Sequence, residues 1–381
     1  MPIDFSLSGD QELLRSEIRR FAEQRIRPGL RDRDLAHEFP AGLVAEMGGL
    51  GLLGMLVPEA YGGGGQDPLT YVLAVEEISR VCPSLGVTMS VTNSVCCWPV
   101  VRYGTESLRR AVLPELASGA AIGGFCLTEP GSGSDAGAMK TSARRDGEFW
   151  ILDGEKAWIT NAGPGKFFVT LAKTDAAAGK RGISAFLVTA DAPGFRVGEA
   201  EEKLGLRASR TAAVLFEGCR IPIGNLLGEL GQGFKIALAT LDNSRLGIAA
   251  QSVGIHQRAL ELATGYARQR IQFGVPIAEH QAIRFKLATM ATELAAARAL
   301  TWHAANLESA RQAGMLAAEA KAYASEAANR ACWEALQIHG GNGFSDESEI
   351  SRLYRDVRVT TIYEGTSEMQ RLVIARQLLG A

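Results

Sequence analysis

The stretch QIHGGNGF, residues Gln337 to Phe344, ends a long helical pattern with a run of glycines. Patterns of helical period lie on both sides of it and cover residues 232–271, 278–311, 315–338 and 367–379. Gly274 and Pro276 separate the first two patterns and Gly314 separates the next two, because both residue types interrupt helices. Long helices with short connections are typical of a four-helix bundle. Residues 229–381 are therefore predicted to form a C-terminal bundle domain.

Between residues 122 and 228 the pattern changes to short apolar runs punctuated by glycine and proline. Phe149 to Leu152, the Asp153-Gly154 dipeptide and the run to Ile159 predict a β-hairpin, because Asp-Gly is a favoured hairpin turn. Further short strands are predicted at residues 167–172, 183–188 and 212–216. These segments together indicate a small antiparallel β domain.

The first region, residues 1–121, is helical in pattern. Ser8 and Gln11 have the spacing of a capping box and precede an amphipathic helix that stops near Pro28. Further helical patterns cover residues 41–56, 69–81 and 105–118. The predicted fold class is α+β and multidomain. It comprises an N-terminal α-helical domain (1–121), a middle antiparallel β domain (122–228) and the C-terminal four-helix bundle (229–381).

The composition excludes several classes of protein. The chain has 381 residues, 46% hydrophobic and 22% charged, which is ordinary for a globular protein. A net charge of −2 gives no support for nucleic-acid binding, and no apolar run approaches the ~20 residues of a membrane span. The start of the chain lacks an apolar signal core, which favours a cytoplasmic location, although a mature organellar form would look the same. The six cysteines show no metal-ligand spacing, so they are interpreted as core thiols and no metal is expected.

The segment Ile362 to Glu368 places one carboxylate, Glu364, beside a glycine on an otherwise apolar approach. A glutamate is a poor base in water, with a pKa of roughly 4.3. Apolar surroundings disfavour its charged form and raise its pKa, so that it can remove a proton from carbon. Gly365 would let the backbone come close to a ligand. The alternative is an ordinary turn that caps a helix.

The segment Cys126 to Asp135 is rich in glycine and hydroxyl groups. Small hydroxyl side chains and unhindered backbone N–H groups suit phosphate oxygens. A surface loop of serine and glycine is the alternative interpretation.

Taken together and in this order, these three segments resemble the acyl-CoA dehydrogenase family, most closely its short-chain, butyryl-CoA branch. One family signature matches Thr128 to Asp135, and another runs from Gln337 to Asp356 with its spacing met throughout. The runs 156–161 and 270–274 also look like family segments, so the resemblance covers essentially the whole chain. It implies three domains in one subunit, usually of a homotetramer, with FAD between the β domain and the bundle.

The resemblance also implies which residues bind FAD. Phe125, Leu127 and Thr128 would face the pyrimidine side of the ring, with Trp158 and Ile159 beside the isoalloxazine and Thr160 near N5. The remaining expected FAD contacts are Ser134, Arg270, Gln272, Gln281, Gln337, Gly340, Gly341, Thr366 and Glu368. Those from Arg270 to Gly341 would reach the dinucleotide from a neighbouring subunit, so that FAD sites are shared. Trp158 as an ordinary strand aromatic and Arg270 as a solvated charge are the alternatives.

The implied substrate is an acyl-CoA, contacted by Ser134, Asp242, Arg245, Gln251 and Gly365. Asp242 and Arg245 lie three residues apart on one helix face, where a simple ion pair is the alternative. In the short-chain branch a glutamine at the position of Gln251 helps to floor the acyl pocket, although here it could instead bond within the bundle. Butyryl-CoA-like substrates are therefore expected. Cys96-Cys97-Trp98 departs from the branch, which leaves medium or branched acyl groups open.

The implied reaction is the removal of the α-proton by Glu364 while the β-hydrogen leaves as hydride to flavin N5, which gives a trans-2-enoyl-CoA. Some family members carry the base at the position of Ser244, and a serine cannot take that role. The expected electron acceptor is electron-transfer flavoprotein. Fatty-acid β-oxidation is the expected pathway, with amino-acid catabolism and specialised biosynthesis left open.

Rival functions fit the sequence less well. Acyl-CoA oxidases are usually much longer, and nitroalkane-oxidase-like relatives usually carry aspartate where Glu364 stands. A DNA-associated relative of the fold would need a basic face, and the chain has no block of lysine or arginine. A purely structural helical protein would have no use for the clustered motifs.

Overall fold

The computed structural model describes residues 6–306 and 310–380, with the side chains of residues 310–313 excepted. The first region is helical, as predicted, although the helix predicted over residues 41–56 ends at Gly49 and turns follow it. Its α-helices are α1 (Gly9–Phe21), α2 (Leu30–Leu35), α3 (Ala41–Gly49), α4 (Pro68–Val81), α5 (Pro83–Val91), α6 (Trp98–Tyr103) and α7 (Glu106–Ala117). The Ser8–Gln11 capping box is present at the start of α1. Wider π-helical turns follow α1 at Ala22–Ile26 and α5 at Thr92–Cys97.

The middle region is a twisted sheet. Its strands are β1 (Gly123–Cys126), β2 (Ser142–Asp146), β3 (Phe149–Thr160), β4 (Phe167–Lys173), β5 (Ile183–Thr189), β6 (Phe195–Ala200), β7 (Thr211–Pro222) and β8 (Leu226–Leu227). The main path has the order β6-β7-β3-β2-β4-β5-β8, and β1 pairs with β4. Most pairs are antiparallel, as expected, but β1 and β2 both run parallel to β4. The sheet is therefore mixed.

The predicted hairpin at Asp153-Gly154 is wrong. Strand β3 runs through this dipeptide, and its pairing with β7 shifts register between Leu152 and Gly154. The dipeptide thus forms a β-bulge, in which the Asp153 carboxylate accepts a hydrogen bond from the backbone N–H of Gly218 at 2.7 Å. The turn into β3 lies earlier, at Gly147, whose φ is +59°.

The last region contains long helices. They are α8 (Gly233–Gln269), α9 (Gln281–Ala305), α10 (Ala310–His339) and α13 (Ser367–Leu379), joined through a short β9–β10 pair (Ile271–Gln272 and Val275–Pro276) and the helices α11 (Gly341–Phe344) and α12 (Glu349–Val357). The bundle is as predicted, except that Gly314 lies inside α10 and does not separate two helices.

The helical regions share one hydrophobic core. Side chains from α1, α4, α8, α9 and α10 pack in the same cluster. At Gly254 of α8 an added Cβ would lie 2.3 Å from the backbone oxygen of Glu76 in α4, so this close helix contact requires glycine. All six cysteines are buried and free, as the core-thiol interpretation expects. Within residues 6–306 and 310–380, no helix combines the length and apolar character needed to span a membrane.

Candidate active site

Glu364 lies on a tight turn between α12 and α13. Glu364 and Gly365 both have left-handed backbone conformations, with φ of +53° and +88°. This conformation is uncommon for a residue with a side chain and is usually found where surrounding structure enforces it. The next residue, Thr366, is the N-cap of α13 and accepts a hydrogen bond from the backbone N–H of Met369 at 3.3 Å. The turn therefore ends on a well-capped helix.

Three helices hold this turn. Gln370 of α13 donates to the backbone oxygens of Glu364 and Gly365 at 3.1 and 2.9 Å. Lys321 of α10 donates to the Gly365 oxygen at 2.6 Å. Ser244 of α8 donates from its hydroxyl to the Glu364 carboxylate at 2.5 Å. The backbone and side chain of Glu364 are thus both fixed in direction.

The surroundings favour the protonated form of Glu364. Burial raises the pKa of this carboxyl, while the hydrogen bond from Ser244 and the charges of Lys321 and Arg245 oppose the rise. Val359 and Tyr363 pack on the apolar cluster of Val87, Val91, Val95 and Leu206. A carboxylate in such a setting is a stronger base than one in water.

The hydroxyl-rich segment lies against strand β3. The backbone N–H of Ala157 donates to the Thr128 oxygen at 2.9 Å. Lys156, which is fully buried, donates to the Leu127 oxygen at 3.2 Å and to the Glu129 carboxylate at 2.8 Å. The segments predicted to bind the flavin ring are therefore adjacent and fixed to each other by a buried ion pair.

Trp158 lies next to this junction with 59% of its surface exposed. Its φ of +60° is a second uncommon backbone conformation. Thr128 and Thr160 are partly buried, while Ile159 and Leu127 are buried. An exposed indole on the same strand as Thr160, next to the residue whose backbone bonds Thr128, fits a planar, polar-edged ring such as flavin. Phe125 is partly buried and packs on the same cluster as Tyr363, which connects this face with the Glu364 turn.

The other predicted residues near this face vary in exposure. Ser134 is exposed, and Glu368 is exposed in the first turn of α13. Asp242 and Arg245 form an ion pair at 2.5 Å, which was the alternative interpretation. Asp242 also lines a cleft of about 430 Å³ with Lys180, Arg181, Phe234 and Lys235.

Gln251 is fully buried and bonds within the protein, as its alternative interpretation held. Its amide nitrogen donates to the Pro83 oxygen at 2.9 Å, and its amide oxygen accepts a hydrogen bond from the Tyr363 hydroxyl. Since Tyr363 directly precedes Glu364, Gln251 is also connected to the turn that carries the carboxylate.

The predicted dinucleotide contacts lie elsewhere. All six residues are exposed, namely Arg270, Gln272, Gln281, Gln337, Gly340 and Gly341. Arg270 follows the end of α8, and α8 rises roughly 36 Å between Arg245 and its last residue at 1.5 Å per residue. Within one subunit, the structure therefore does not bring these residues to the Glu364 turn. Phe273 beside them is 95% exposed.

Sequence reasoning missed residues that support the turn. Lys321, Gln370 and the Ser244 hydroxyl were not assigned such a role. No local signal marked Lys321, because the alanine-rich stretch from Ala317 to Ala331 also carries the charged residues Glu319, Glu326 and Arg330.

Comparisons with known proteins agree with this architecture. Sequence profiles of the acyl-CoA dehydrogenase N-terminal, middle and C-terminal domains match residues 8–120, 124–219 and 231–379. The chain belongs to the acyl-CoA dehydrogenase family. It is therefore an FAD-dependent oxidoreductase.

Individual relatives are similar over nearly the full length. The mitochondrial short-chain specific acyl-CoA dehydrogenase of Homo sapiens is 51% identical over 97% of this chain and 90% of its own. The butyryl-CoA dehydrogenase structure from Megasphaera elsdenii has a TM-score of 0.95 and 39% identity, covering 99% of this chain and 100% of that one. The Bacillus anthracis acyl-CoA dehydrogenase complexed with FAD has a TM-score of 0.93 and 35% identity, covering 98% and 67%.

Proposed function

We propose that this acyl-CoA dehydrogenase converts a short-chain acyl-CoA, similar to butyryl-CoA, to the trans-2-enoyl-CoA, with Glu364 as the base that removes the α-proton. The observation that carries the proposal is the Glu364 turn. Its carboxylate is fixed by Ser244, lies next to apolar side chains, and has a pKa raised by burial. A base with these properties can take a proton from carbon near neutral pH.

The turn also offers a means of activating the thioester. The carbonyl oxygens of Glu364 and Gly365 bond to Gln370 and Lys321. We propose that the backbone N–H of Glu364 points to the substrate and donates to the thioester carbonyl. Such a donor lowers the cost of charge that develops on the oxygen during proton removal.

The residues present fit FAD. When bound, FAD supplies the acceptor for the hydride that leaves the β-carbon. We propose that Phe125, Leu127, Thr128, Trp158, Ile159 and Thr160 hold the flavin ring, with Ser134, Thr366 and Glu368 at its edge. The buried Glu129–Lys156 pair keeps two of these segments together.

The cleft beside Asp242 suits the charged part of coenzyme A. Lys180, Arg181 and Lys235 line it with Phe234, and Asp242 lies at its edge. Cations bind phosphate oxygens and an aromatic ring gives an apolar contact. We propose that Asp242, Arg245 and Ser134 position the pantetheine and that this basic cleft receives the phosphates.

The proposed substrate preference predicts the anaerobic flavin spectrum. Butyryl-CoA should bleach the flavin band of the purified protein rapidly, and octanoyl-CoA and isovaleryl-CoA should bleach it more slowly. Stopped-flow absorbance with each thioester checks this result. Faster bleaching by isovaleryl-CoA would contradict the short, straight-chain preference, and the departure from the short-chain branch at Cys96-Cys97-Trp98 would then be the place to examine.

Gln251 gives a test of chain length. Gln251→Ala should raise the rate with octanoyl-CoA relative to butyryl-CoA by roughly 10-fold, because shortening a buried side chain makes room for methylene groups. The ratio of the two kcat/KM values measures the effect.

Tyr363→Phe is the matched control for Gln251→Ala. It removes the same hydrogen bond to Gln251 and leaves the volume almost unchanged. Its ratio of octanoyl-CoA to butyryl-CoA should equal that of the wild type. Equal ratios in all three proteins would show that Gln251 does not limit the acyl chain.

We also propose that the protein is a homotetramer in which each FAD dinucleotide is bound by a neighbouring subunit. The support is that these residues are exposed and lie far from the catalytic turn, toward the end of α8. They are Arg270, Gln272, Gln281 and Gln337, together with the apolar side chains of Phe273 and Phe344. Light scattering after gel filtration measures the assembly.

Electron-transfer flavoprotein is the proposed electron acceptor, and its reduction by the substrate-treated enzyme tests that partner.

A further inference from the structure

We propose that Lys321 is a positioning residue for the catalytic turn: its ammonium group fixes the Gly365 carbonyl, and its charge favours the carboxylate form of Glu364. This inference rests on the proposed role of Glu364 as the base. Lys321 does not touch the reacting atoms in this account. It acts through the turn and through the electrostatic potential there.

The position of Lys321 is unusual. Its relative exposure is 0%, and it lies among the buried alanines Ala317, Ala318, Ala320 and Ala324. A buried ammonium is costly unless hydrogen bonds or opposite charges compensate it. The buried face of α10 is formed by alanines around this point, so Lys321 places a charge in an otherwise apolar face. Its ammonium group donates to the turn that holds Glu364.

The contact of Lys321 supports a strained backbone. Gly365 has a φ of +88° and Glu364 a φ of +53°. Lys321 donates to the Gly365 oxygen at 2.6 Å, and Gln370 donates to the same oxygen at 2.9 Å. Two donors from two different helices thus set the direction of the peptide that follows the base. Without the Lys321 contact, the Gly365 carbonyl is held by Gln370 of α13 alone.

The charge of Lys321 acts on Glu364 in a defined setting. Arg245 of α8 is the other cation that favours the Glu364 carboxylate, but it is already paired with Asp242. Ser244 donates to the carboxylate, and the phenols Tyr71 of α4 and Tyr363 interact with it electrostatically. Glu326 and Glu368 act on Lys321 from α10 and α13. Arg245 is thus bonded to a carboxylate on its own helix. In the described structure, the buried Lys321 has no bonded carboxylate on its own helix face.

The direction of each pKa shift agrees with this arrangement. Burial lowers the pKa of Lys321 to about 8, while the charge of Glu364 opposes that shift. Burial raises the pKa of Glu364, and the charge of Lys321 opposes that shift. In its protonated form Lys321 carries the positive charge that this arrangement uses. Its positive charge then keeps a larger fraction of Glu364 ionised and able to accept the α-proton.

The test is the pH dependence of flavin bleaching by butyryl-CoA in the FAD-loaded enzyme. Removal of the charge in Lys321→Met should raise the pKa of Glu364. Since the ionised base is the active form, the acid limb of the rate profile should move to higher pH, by about one unit for a single opposite charge nearby. The plateau at high pH should also fall, because the Gly365 carbonyl loses a donor.

Lys321→Arg should restore the position of the acid limb, because it keeps the charge. Lys166→Met, which removes a lysine from a surface pair with Glu115, should leave the limb unchanged. FAD content and melting temperature are measured for every variant. If Lys321→Met fails to retain FAD, the same profile is measured for Lys321→Gln, which is neutral but still polar.

The outcomes separate this inference from the proposed function. An acid limb of wild-type position in the neutral variants overturns the role of the Lys321 charge. A displaced limb that Lys321→Arg does not restore also overturns it, because the effect would then be one of packing. Failure of the proposed function itself would be seen as wild-type bleaching in Glu364→Gln, whatever the Lys321 variants do.

Discussion

Glu364→Gln should abolish rapid bleaching of the flavin by acyl-CoA while the protein keeps its FAD. The substitution replaces one carboxylate oxygen with an amide nitrogen of nearly equal size. Ser244 can still donate to the remaining oxygen, so the turn should keep its geometry. The amide cannot accept a proton, and loss of general base catalysis typically costs about 10²–10⁴-fold in rate. Stopped-flow absorbance after mixing with butyryl-CoA measures the decrease.

A matched control separates the chemistry from a general effect of losing a negative charge. Glu217 of β7 is exposed and pairs with Arg196, away from the Glu364 turn. Glu217→Gln should bleach at the wild-type rate. Comparable rates in Glu364→Gln and the wild type would contradict the proposal and would place the base on another residue.

The sequence predicted the helical parts of the fold well because their signals are local. The Ser8–Gln11 capping box begins a helix at the place where the structure has it, and the pattern predicted over residues 69–81 matches α4. Gly314 was wrongly taken as a break. A glycine within a helix costs only about 1 kcal/mol relative to alanine, and the long packed interface of α10 outweighs that cost.

The β domain was predicted less accurately because its pairing is not local. Asp153-Gly154 has the sequence of a hairpin turn, but it forms a bulge opposite β7, some sixty residues further along the chain. Gly154 has a φ of +145°, and an added Cβ would lie 2.6 Å from the Thr141 hydroxyl. Glycine was therefore required there for a reason that the local sequence does not reveal.

The difference between local and non-local signals also applies to the candidate active site. The segment of Glu364 left a helix-capping turn as an alternative, and the prediction of Glu364 as the base came from the family resemblance, whereas the residues that hold its side chain and backbone come from α8, α10 and α13. Ser244 is 120 residues away in sequence and Lys321 donates to a residue 44 positions away. Contacts of that separation follow from helix packing and have no local signature. Gln251 fits both of its interpretations, as part of the floor of the acyl pocket and as a residue that bonds within the bundle. Its buried side chain is hydrogen-bonded to Pro83 and Tyr363.

The second large effect is expected at the buried Glu129–Lys156 pair, which lies beside the proposed flavin-binding segments. Glu129→Gln should destabilise the protein by about 3–5 kcal/mol, because it leaves the Lys156 ammonium buried without a counter-charge. Lys156 has a relative exposure of 0%, and Glu129 accepts hydrogen bonds from it and from the backbone N–H groups of Lys140 and Thr141. Burial opposes ionisation of Glu129, but Lys156 and Thr141 outweigh it, so the pKa of this carboxyl lies below its usual value. The carboxylate is therefore the form that the fold requires.

Glu129→Gln should also weaken FAD retention, because Glu129 follows Thr128 directly and fixes the segment to β3. The shift in the urea midpoint measures stability, and flavin released during gel filtration measures retention. Glu115→Gln is the matched control, since Glu115 pairs with Lys166 at the surface and a pair of that kind contributes about 0–1 kcal/mol. If both variants unfold at the same urea concentration, the buried pair does not stabilise the fold. If Glu129→Gln is destabilised but retains FAD as the wild type does, the pair supports the sheet and not the flavin face.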